Sequence, residues 1–271
     1  MTRWEALKLL RADVPVLEPG HVWLAGAGPG DPGLLTLDAL AGLLQAEVIV
    51  HDALVDARVL ALAAGEARLE FAGKRGGRPS TIQADISRRL VELAGNGARV
   101  LRLKGGDPYM FGRAGEETMA LATAGVPFRV ISGVTAALAA LAAASIPATM
   151  RGVNRSIIFT TGQSADARDG EDWAALARTG QPIVIYMALH NLDSIAQALM
   201  RGGVAPETPA AVIVSVARAE EDVLVSTLGR IAGDAQARRL EPPAIAVIGQ
   251  IVAQRQRLQT MVELVASASA S

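Results

Sequence analysis

Cysteine is absent from the 271 residues of the chain. Disulfide bonds and thiolate metal sites are therefore excluded. Only three histidines are present, His21, His51 and His190, and they stand far apart in the sequence. Because a histidine metal site needs clustered ligands, the sequence predicts no metal centre.

Aromatic residues are scarce as well, at 3% of the chain, and the formal net charge is only −1. Surfaces that bind nucleic acid usually combine a basic patch with aromatic side chains, so we expect no nucleic-acid partner. Long apolar runs are also missing, since none reaches the roughly 20 residues that cross a bilayer. The N-terminus lacks the basic region and apolar block of a secretory signal. We therefore expect a cytoplasmic protein without a membrane partner.

Short apolar runs that alternate with helical patterns dominate the rest of the chain. Five strand-like runs lie between Val22 and Ile131, and this alternation is typical of a mostly parallel sheet covered by helices. The pattern breaks near Pro147, and five more strand-like runs follow, with a helical pattern at Leu192–Arg201 among them. Two of the later runs lie too close together for a crossover helix, so the second sheet is predicted to be mixed.

These patterns predict an α/β protein of two lobes. Residues 1–20 form an N-terminal arm, 21–148 the N-terminal lobe, 149–265 the C-terminal lobe and 266–271 a small polar tail. The two lobes are expected to have a cleft between them, since ligand sites are common at domain interfaces.

The stretch Val100–Arg113 contains the most distinctive loop. A run typical of a strand ends in Gly105 and Gly106, and Asp107 follows directly. Glycines at a strand end allow a close approach of the backbone, and in α/β sheets ligands bind beyond the carboxyl ends of the strands. We interpret this loop as the floor of a binding site. A simple glycine turn with a solvated Asp107 and Arg113 is the alternative.

The loop Gly28–Gly33 matches the GxGxxG pattern of dinucleotide-binding folds, and Asp52 stands at the end of the next strand-like run. However, two prolines in the loop lack a backbone N–H, and the Asp31 carboxylate would repel a diphosphate. The loop therefore favours a ligand that is cationic or neutral. It can also be a helix start in which Asp31 and Thr36 act as caps.

Several motifs occur together in one order along the chain. They are Gly26–Thr36, Val48–Val55, Gly73–Arg75, Leu101–Arg113 with Gly115–Glu117, and Gly133–Ala136. In this combination the chain resembles the tetrapyrrole methylases over roughly residues 22–253. The resemblance implies two α/β domains in a homodimer, with S-adenosyl-L-methionine as the methyl donor, S-adenosyl-L-homocysteine as its product, and no metal. It also implies methylation of C-2 and C-7 of uroporphyrinogen III, through precorrin-1 to precorrin-2, in cobalamin or sirohaem synthesis.

The resemblance further assigns roles by position. The implied cofactor contacts are Pro29, Gly105, Gly106, Asp107, Thr135 and Ala136 in the first lobe, and Met187, Val216 and Ala244 in the second. The implied catalytic residues are Asp52 and Lys74, as proton acceptor and donor, together with Arg113. The implied substrate-binding residues are Arg75, Arg113 and Arg151.

The residue types suit this chemistry. An octacarboxylate substrate needs cations, and arginine suits carboxylate best because its planar group makes two parallel hydrogen bonds. Lys104 and Arg155 are further cations along the chain. Methylating a pyrrole carbon creates a cation that must lose a proton, which Asp52 could accept. Asp52 could instead cap the helical segment after Val55, and Lys74 could act by its charge alone.

The chain departs from the family pattern in three places. Ser132 stands where proline is usual, which removes a rigid residue from that turn. Met150 replaces a histidine, so it takes no role. Ser215 and Val216 stand where Asn-Ala is common, which restricts Val216 to a backbone contact.

Two other kinds of function stay open from the sequence. A methylase of the same fold could act on a later corrin intermediate. A nicotinamide-dependent oxidoreductase, or a nucleotide sensor without catalysis, would use the first glycine loop for a dinucleotide. The two prolines and Asp31 in that loop argue against both of these dinucleotide readings.

Overall fold

The structure is a computed structural model that describes residues 2–10, 13–72, 83–163 and 172–269. The chain forms two compact units, Met1–Ala136 and Ala137–Ser271. Each unit is built around its own five-stranded sheet in the described residues. The boundary at residue 148, expected from the break near Pro147, stays a prediction.

The first unit contains a parallel sheet, as the sequence predicts. Its strands are β1 (Val22–Gly26), β2 (Val48–His51), β3 (Arg68–Phe71), β4 (Val100–Lys104) and β5 (Phe128–Ile131). Its helices are α1 (Arg3–Leu10), α2 (Leu37–Gln45), α3 (Ala57–Leu60), α4 (Gln83–Gly95) and α5 (Ala114–Thr123). The described strands all pair in parallel, in the order β3-β2-β4-β1-β5.

This strand order places β1 beside β4 at the centre of the sheet. One face of the sheet packs on residues of α1, α2 and α3, and the other face packs on α4 and α5. The loop after β1 therefore leads to one face, and the loop after β4 leads to the other. In open α/β sheets, ligands bind at the point where the loops after two neighbouring strands lead to opposite faces of the sheet.

Side chains of β4 alternate between the two faces. Leu101 and Leu103 belong to the core on the α2 side, and Val100 belongs to the core on the α4 and α5 side. Arg102 and Lys104 therefore point toward α4 and α5. The position of these two cations matters for the site described below.

The N-terminal segment, expected to be an arm, packs into the first core. Leu7 of α1 and Leu17 are both buried there. Gln45, the last residue of α2, holds the segment with its side chain. Its Oε1 accepts from the N–H of Leu17 at 3.2 Å, and its Nε2 donates to the carbonyl of Pro15 at 3.0 Å.

The second unit contains a mixed sheet, which confirms the prediction. Its strands are β6 (Ile158–Thr161), β7 (Ile183–Tyr186), β8 (Pro209–Val214), β9 (Asp222–Thr227) and β10 (Ala244–Ile248). Its helices are α6 (Ala136–Ala143), α7 (Trp173–Arg178), α8 (Leu192–Arg201), α9 (Ile231–Ala237) and α10 (Ala253–Ser269). The described strands follow the order β6-β7-β10-β8-β9, in which β6 and β7 are parallel and the other pairs are antiparallel.

The β8–β9 pair is the antiparallel hairpin that the short spacing in the sequence predicts. The predicted polar tail differs from the structure, because α10 continues to Ser269. Small residues such as Ala and Ser carry little helix penalty, so a helix already formed by the preceding turns extends through them.

Candidate active site at the strand ends

The turns after β4, β1 and β5 meet at the carboxyl edge of the first sheet. A Cβ atom built on Gly26 would lie 2.6 Å from the Cα of Gly133, and it would lie even closer to the carbonyl oxygen of Gly106. A Cβ atom built on Gly133 would lie 2.7 Å from the Cα of Gly26. Neither position can hold a side chain, so glycine is required where the three backbones meet.

Two hydrogen bonds join the loop after β1 to the loop after β4. The N–H of Gly106 donates to the carbonyl of Gly28 at 2.8 Å, and the N–H of Gly28 donates back at 3.2 Å. Both residues have a left-handed backbone, with φ of +67° and +69°, which glycine adopts without a steric penalty. Gly105 is needed for a different reason, because a Cβ there would lie 2.6 Å from the Cβ of Leu54. These glycines therefore serve contacts between the loops themselves.

Asp107 connects the loop after β4 to the turn after β5. Its Oδ1 accepts from the N–H of Tyr109 at 2.9 Å, and its Oδ2 accepts from the N–H of Gly133 at 3.1 Å. The second bond anchors the turn in which Ser132 stands in place of proline. A carboxylate has about four acceptor sites, so Asp107 can also accept from a ligand.

Thr135 and Ala136 follow in the same turn, next to Gly106. A Cβ built on Gly106 would lie 3.6 Å from the backbone nitrogen of Ala136 and 3.8 Å from the Cα of Thr135. The Thr135 side chain is buried. The structure thus brings together four of the residues that the sequence assigns to the cofactor, namely Gly106, Asp107, Thr135 and Ala136.

Side chains of the loop after β1 accept hydrogen bonds from backbone groups of the same segment. Asp31 accepts from the N–H of Gly33 at 2.8 Å and caps the 3-10 helix Pro32–Leu34, and Thr36 accepts from the N–H of Ala39 at 3.2 Å and caps α2. Both predicted caps are confirmed. Because a carboxylate already occupies this helix start, the loop is unsuited to a diphosphate. Pro29 is buried within this loop.

Asp52 follows β2 directly and is half-buried. Its Oδ1 accepts from the N–H of Leu54 at 3.0 Å, so it shapes the turn that packs against Gly105. The helix-cap role considered for Asp52 is wrong, because Asp56 caps α3 by accepting from the N–H of Arg58 at 2.9 Å. The Asp52 carboxylate is therefore available at the same edge of the sheet.

A buried group of charges, which the sequence analysis missed, lies beneath the loop after β4. Arg102, Lys104 and Glu117 expose 2%, 4% and 0% of their surfaces. Glu117 accepts from Nε of Arg102 at 3.2 Å, from Nζ of Lys104 at 3.1 Å and from Nε2 of Gln83 at 2.9 Å. We call these four residues the Glu117 cluster.

The Glu117 cluster changes the interpretation of Lys104 as a substrate cation. Burial lowers the pKa of Lys104, and the nearby Arg102 charge lowers it further, while Glu117 and Asp52 act in the opposite direction. Lys104 is thus engaged inside the fold. The signal that could have found it is the spacing of Arg102 and Lys104, which puts both on one face of a buried strand and requires a carboxylate opposite them.

Arg113 is the residue before α5 and has a left-handed backbone, with φ of +58°. Its Nε and Nη2 donate to the two carboxylate oxygens of Glu116 at 2.7 and 2.8 Å. This hydrogen-bonded pairing raises the pKa of Arg113 and lowers that of Glu116. The Arg113 side chain is 60% exposed, so a substrate carboxylate can reach it and compete with Glu116.

Three predicted cofactor residues of the second unit lie at one edge of the second sheet. Met187 follows β7, Val216 lies just after β8, and Ala244 begins β10, which runs antiparallel between those two strands. The N–H of Ser215 donates to the carbonyl of Pro243 at 2.9 Å and joins two of the turns. Met187 and Ser215 have φ of +53° and +49°. Such backbones in residues other than glycine are concentrated at functional sites.

The remaining predicted substrate residues lie elsewhere in the chain. Arg151 is exposed in a turn of the second unit, where the Oδ1 of Asn154 accepts from the N–H of Met150 at 3.0 Å. Lys74 and Arg75 lie outside the described residues, and their roles stay predictions.

Within residues 2–10, 13–72, 83–163 and 172–269, no helix is long and apolar enough to cross a membrane. In the same ranges, no three side chains of His, Cys, Asp or Glu come together in a way that could hold a metal ion. The candidate site therefore consists of the turns at the strand ends.

Comparisons with known proteins give one consistent result. The family model of the Tetrapyrrole (Corrin/Porphyrin) Methylases matches residues 21–232. A uroporphyrinogen-III C-methyltransferase from Sinorhizobium sp is 51% identical over 92% of this chain and 90% of that protein. A siroheme synthase from Sodalis glossinidius is 47% identical over 86% of this chain. The match covers only 49% of that synthase, so the chain spans about half its length.

Solved structures agree with the sequence comparisons. Uroporphyrin-III C-methyl transferase from Thermus thermophilus, complexed with S-adenyl homocysteine, has a TM-score of 0.73 and 36% identity, over 86% of this chain and 98% of that one. A cobalt precorrin-4 methyltransferase has a TM-score of 0.78 over 86% of this chain and 96% of its own, but at 23% identity this likeness concerns the fold alone. Together with the family match over most of the sequence, these findings show that the chain belongs to the tetrapyrrole methylases.

Proposed function

We propose that this protein is an S-adenosyl-L-methionine-dependent C-methyltransferase that converts uroporphyrinogen III to precorrin-2 through precorrin-1. The observation that carries the proposal is the 51% identity to the Sinorhizobium uroporphyrinogen-III C-methyltransferase over 92% of this chain. The strand-end loops support it, because they offer carboxylates and backbone groups to a cationic or neutral ligand. The product is an intermediate for cobalamin or sirohaem synthesis.

The residues at the strand ends fit a cofactor that combines a sulfonium, an amino-acid tail and an adenosine. In the first unit, Asp107 has acceptor sites beyond the two that its N–H partners use. In the second unit, Met187 is 44% exposed at its turn and can act as an apolar wall. The cofactor would be held by Pro29, Gly105, Gly106, Asp107, Thr135, Ala136, Met187, Val216 and Ala244. When bound, it supplies a methyl group that is already activated by the sulfonium.

The chain's own residues would bind the substrate and accept its proton. Uroporphyrinogen III carries carboxylates on every pyrrole ring, and Arg75, Arg113 and Arg151 are proposed to bind them through paired hydrogen bonds. Methylation of a pyrrole carbon leaves a proton to be removed from the ring system. Asp52 is proposed to accept that proton. Lys74 is proposed for the proton-donor position that the family resemblance implies, where it could also act by its charge alone.

The test is a reaction with enzymatically made uroporphyrinogen III and S-adenosyl-L-methionine, followed by mass spectrometry of the product. We expect the mass to increase by two methyl groups, with one methyl group at early times. A product of unchanged mass would contradict the proposal. Calorimetric titration provides a second readout, in which S-adenosyl-L-homocysteine binds and NAD does not. Preference for NAD would favour the oxidoreductase instead.

Two variants test the individual roles. Asp52→Asn should slow turnover while the affinity for S-adenosyl-L-homocysteine stays the same, and an unchanged rate would remove Asp52 from the mechanism. Arg113→Ala should weaken tetrapyrrole binding and leave cofactor binding intact. Equal loss of both would count against the role of Arg113 as a substrate clamp.

We also propose that the enzyme acts as a homodimer in the cytoplasm. Family resemblance supports the dimer, and the lack of cysteine fits a compartment where disulfides do not form. Sedimentation equilibrium of the full chain tests the first point, since a monomer mass at micromolar concentration would contradict it.

A further inference from the structure

The loop of residues 105–113 connects β4 to α5 and is held at two separate places. Its first half is anchored by backbone partners, because Gly106 pairs with Gly28 and Asp107 accepts from Gly133. Its second half leads to Arg113, the residue before α5. The anchors of the first half lie in the turns after β1 and β5, so the second half needs support of its own.

Lys104 lies directly beneath this second half. A Cβ atom built on Gly112 would lie 3.2 Å from Cε of Lys104 and 2.7 Å from the carbonyl oxygen of Pro108. The loop backbone therefore rests on the lysine side chain. Nζ of Lys104 continues to Oε1 of Glu117 at 3.1 Å. Lys104 precedes the loop and Glu117 follows it, so their ion pair closes the loop at its base.

The second half also has a backbone that needs external support. Phe111 and Arg113 are not glycine, and their φ values are +52° and +58°. Left-handed backbones in such residues persist only where the surroundings fix them. Glu117 is fully buried and also accepts from Arg102 and Gln83. The carboxylate that holds Lys104 is thus itself fixed from β4 and from α4.

We propose that Lys104 is a positioning residue for tetrapyrrole binding. Bound to Glu117 and packed under Gly112, it keeps residues 108–113 in the conformation that presents Arg113 to a carboxylate of the substrate. This inference rests on the proposed function, in which Arg113 binds the tetrapyrrole. Because the cofactor residues of the loop have separate anchors, removal of the Lys104 charge affects substrate binding and spares the cofactor.

The chain offers a matched pair of variants. Lys104→Met keeps the apolar part of the side chain and leaves Arg102 with Glu117. The control is Arg68→Met, because Glu70 also binds two cations, Arg68 at 2.8 Å and Arg89 at 2.9 Å. The side chains of that second group are 58%, 36% and 23% exposed for Arg68, Arg89 and Glu70. Each variant removes one of two cations from a shared carboxylate, and the two groups differ in their location and in their burial.

The experiment measures steady-state kinetics and cofactor affinity in the full chain. We expect Lys104→Met to raise KM for uroporphyrinogen III about tenfold, with kcat changed by less than about threefold. The Kd for S-adenosyl-L-homocysteine should stay within about twofold of the wild type. Arg68→Met should match the wild type in all three quantities. An unchanged KM in Lys104→Met overturns the proposal, and so does equal weakening of substrate and cofactor.

A second variant keeps the test decisive if Lys104→Met does not fold. Gly112→Ala acts on the same contact from the loop side, because its Cβ must displace the Lys104 stem and the Pro108 carbonyl. It should raise KM while cofactor affinity is retained, and a wild-type KM would overturn the proposal. Failure of the proposed function is distinguishable, since wild-type protein would then make no methylated product. That result overturns both inferences, whereas failure of the Lys104 role alone leaves the wild type active.

Discussion

The two sheets build their strand-end turns by different means. In the first unit, Gly26 and Gly133 have no space for a Cβ atom because three backbones meet there. In the second unit, the edge where β7 and β8 end carries Met187 and Ser215, which keep side chains despite left-handed backbones. Glycine in the first unit therefore reflects a lack of space. The second unit instead accepts an unfavourable backbone and retains side chains at its edge.

This difference indicates that the side chains retained at left-handed positions of the second unit matter for function. A left-handed backbone in a residue other than glycine costs on the order of 1–3 kcal/mol. Glycine would avoid that cost at Met187, which is 44% exposed and lies outside the buried core. The retained side chain fits the proposed role of Met187 as a wall of the cofactor site. In the first unit, the groups proposed for the cofactor include the Asp107 carboxylate and backbone groups of the turns.

The variant Gly26→Ala tests the lack of space in the first unit, and it is expected to have the largest effect on stability. Its methyl group would overlap the backbones of Gly106 and Gly133, so we expect a loss of about 3 kcal/mol or more in the free energy of unfolding. Urea denaturation of the full chain measures it. The control is Gly115→Ala in α5, where a Cβ meets nothing within 4 Å. That control should be neutral or up to about 1 kcal/mol more stable, and equal stability of the two variants would contradict the crowding at Gly26.

The variant Asp107→Asn tests the carboxylate that joins two turns of the first unit. Asparagine replaces one of the two accepting oxygens with an NH2 group, so the N–H of Tyr109 or that of Gly133 would face a donor in place of its acceptor. We expect a loss of about 1–2 kcal/mol in the free energy of unfolding, together with weaker binding of S-adenosyl-L-homocysteine. The control is Asp172→Asn, since Asp172 accepts one N–H as the cap of α7 and asparagine caps a helix equally well. If both variants lose the same stability, the two bonds of Asp107 are not special.

The variant Ser215→Gly tests whether the left-handed backbone in the second unit carries an energetic cost. It removes a left-handed penalty of about 1–2 kcal/mol but adds about 0.5–1 kcal/mol from the greater freedom of unfolded glycine. We therefore expect a net gain of about 0.5 kcal/mol, measured by thermal and urea unfolding. Ser194→Gly in α8, at an ordinary helical position, should instead lose about 0.5 kcal/mol. A loss at both serines would show that the Ser215 backbone carries no penalty.

The smallest effect is expected from the exposed pair Arg113 and Glu116. Hydrogen bonds from Arg113 lower the pKa of Glu116 below its ordinary value of 4.5. The contribution of Glu116 to stability is therefore present above pH 4.5 and is lost as the pH falls through its folded-state pKa. Because both side chains are more than half exposed, solvent screening limits the effect to a few tenths of a kcal/mol. The stability difference between wild type and Glu116→Gln should shrink from pH 7 to pH 3, and a constant difference would contradict the pairing.

Much of the fold follows from local patterns in the sequence. Alternating strand and helix signals predict the parallel first sheet, the mixed second sheet and the hairpin of β8 and β9, and the helix predicted at Leu192–Arg201 is observed with those bounds. These features depend on periodicity over a few residues, which a single sequence carries. Helix α1 was not predicted, because it is one short element with mixed charges. The burial of its Leu7 depends on contacts with α2.

The candidate site could be predicted only in part. The glycines marked the turns correctly, and their proposed contact with a ligand stays a prediction. The sequence did not reveal that Gly26, Gly105 and Gly133 also lack space for a Cβ atom because the loops contact each other there. The Glu117 cluster was missed because it is assembled from three elements. Glu117, the shared partner of Arg102 and Lys104 of β4, comes from α5, and Gln83, which also donates to Glu117, comes from α4. The left-handed backbones of Met187 and Ser215 have no signal in the residue types. Tertiary packing decides each of these features.

The hydrogen bonds that Gln45 makes with Pro15 and Leu17 have a practical consequence for anyone who shortens this polypeptide. A truncated version that starts at residue 18 would lose Leu7 and Leu17 from the apolar interior and leave the Gln45 amide without the main-chain groups it now binds. Purification handles should therefore be added ahead of Arg3 rather than substituted for the first helix.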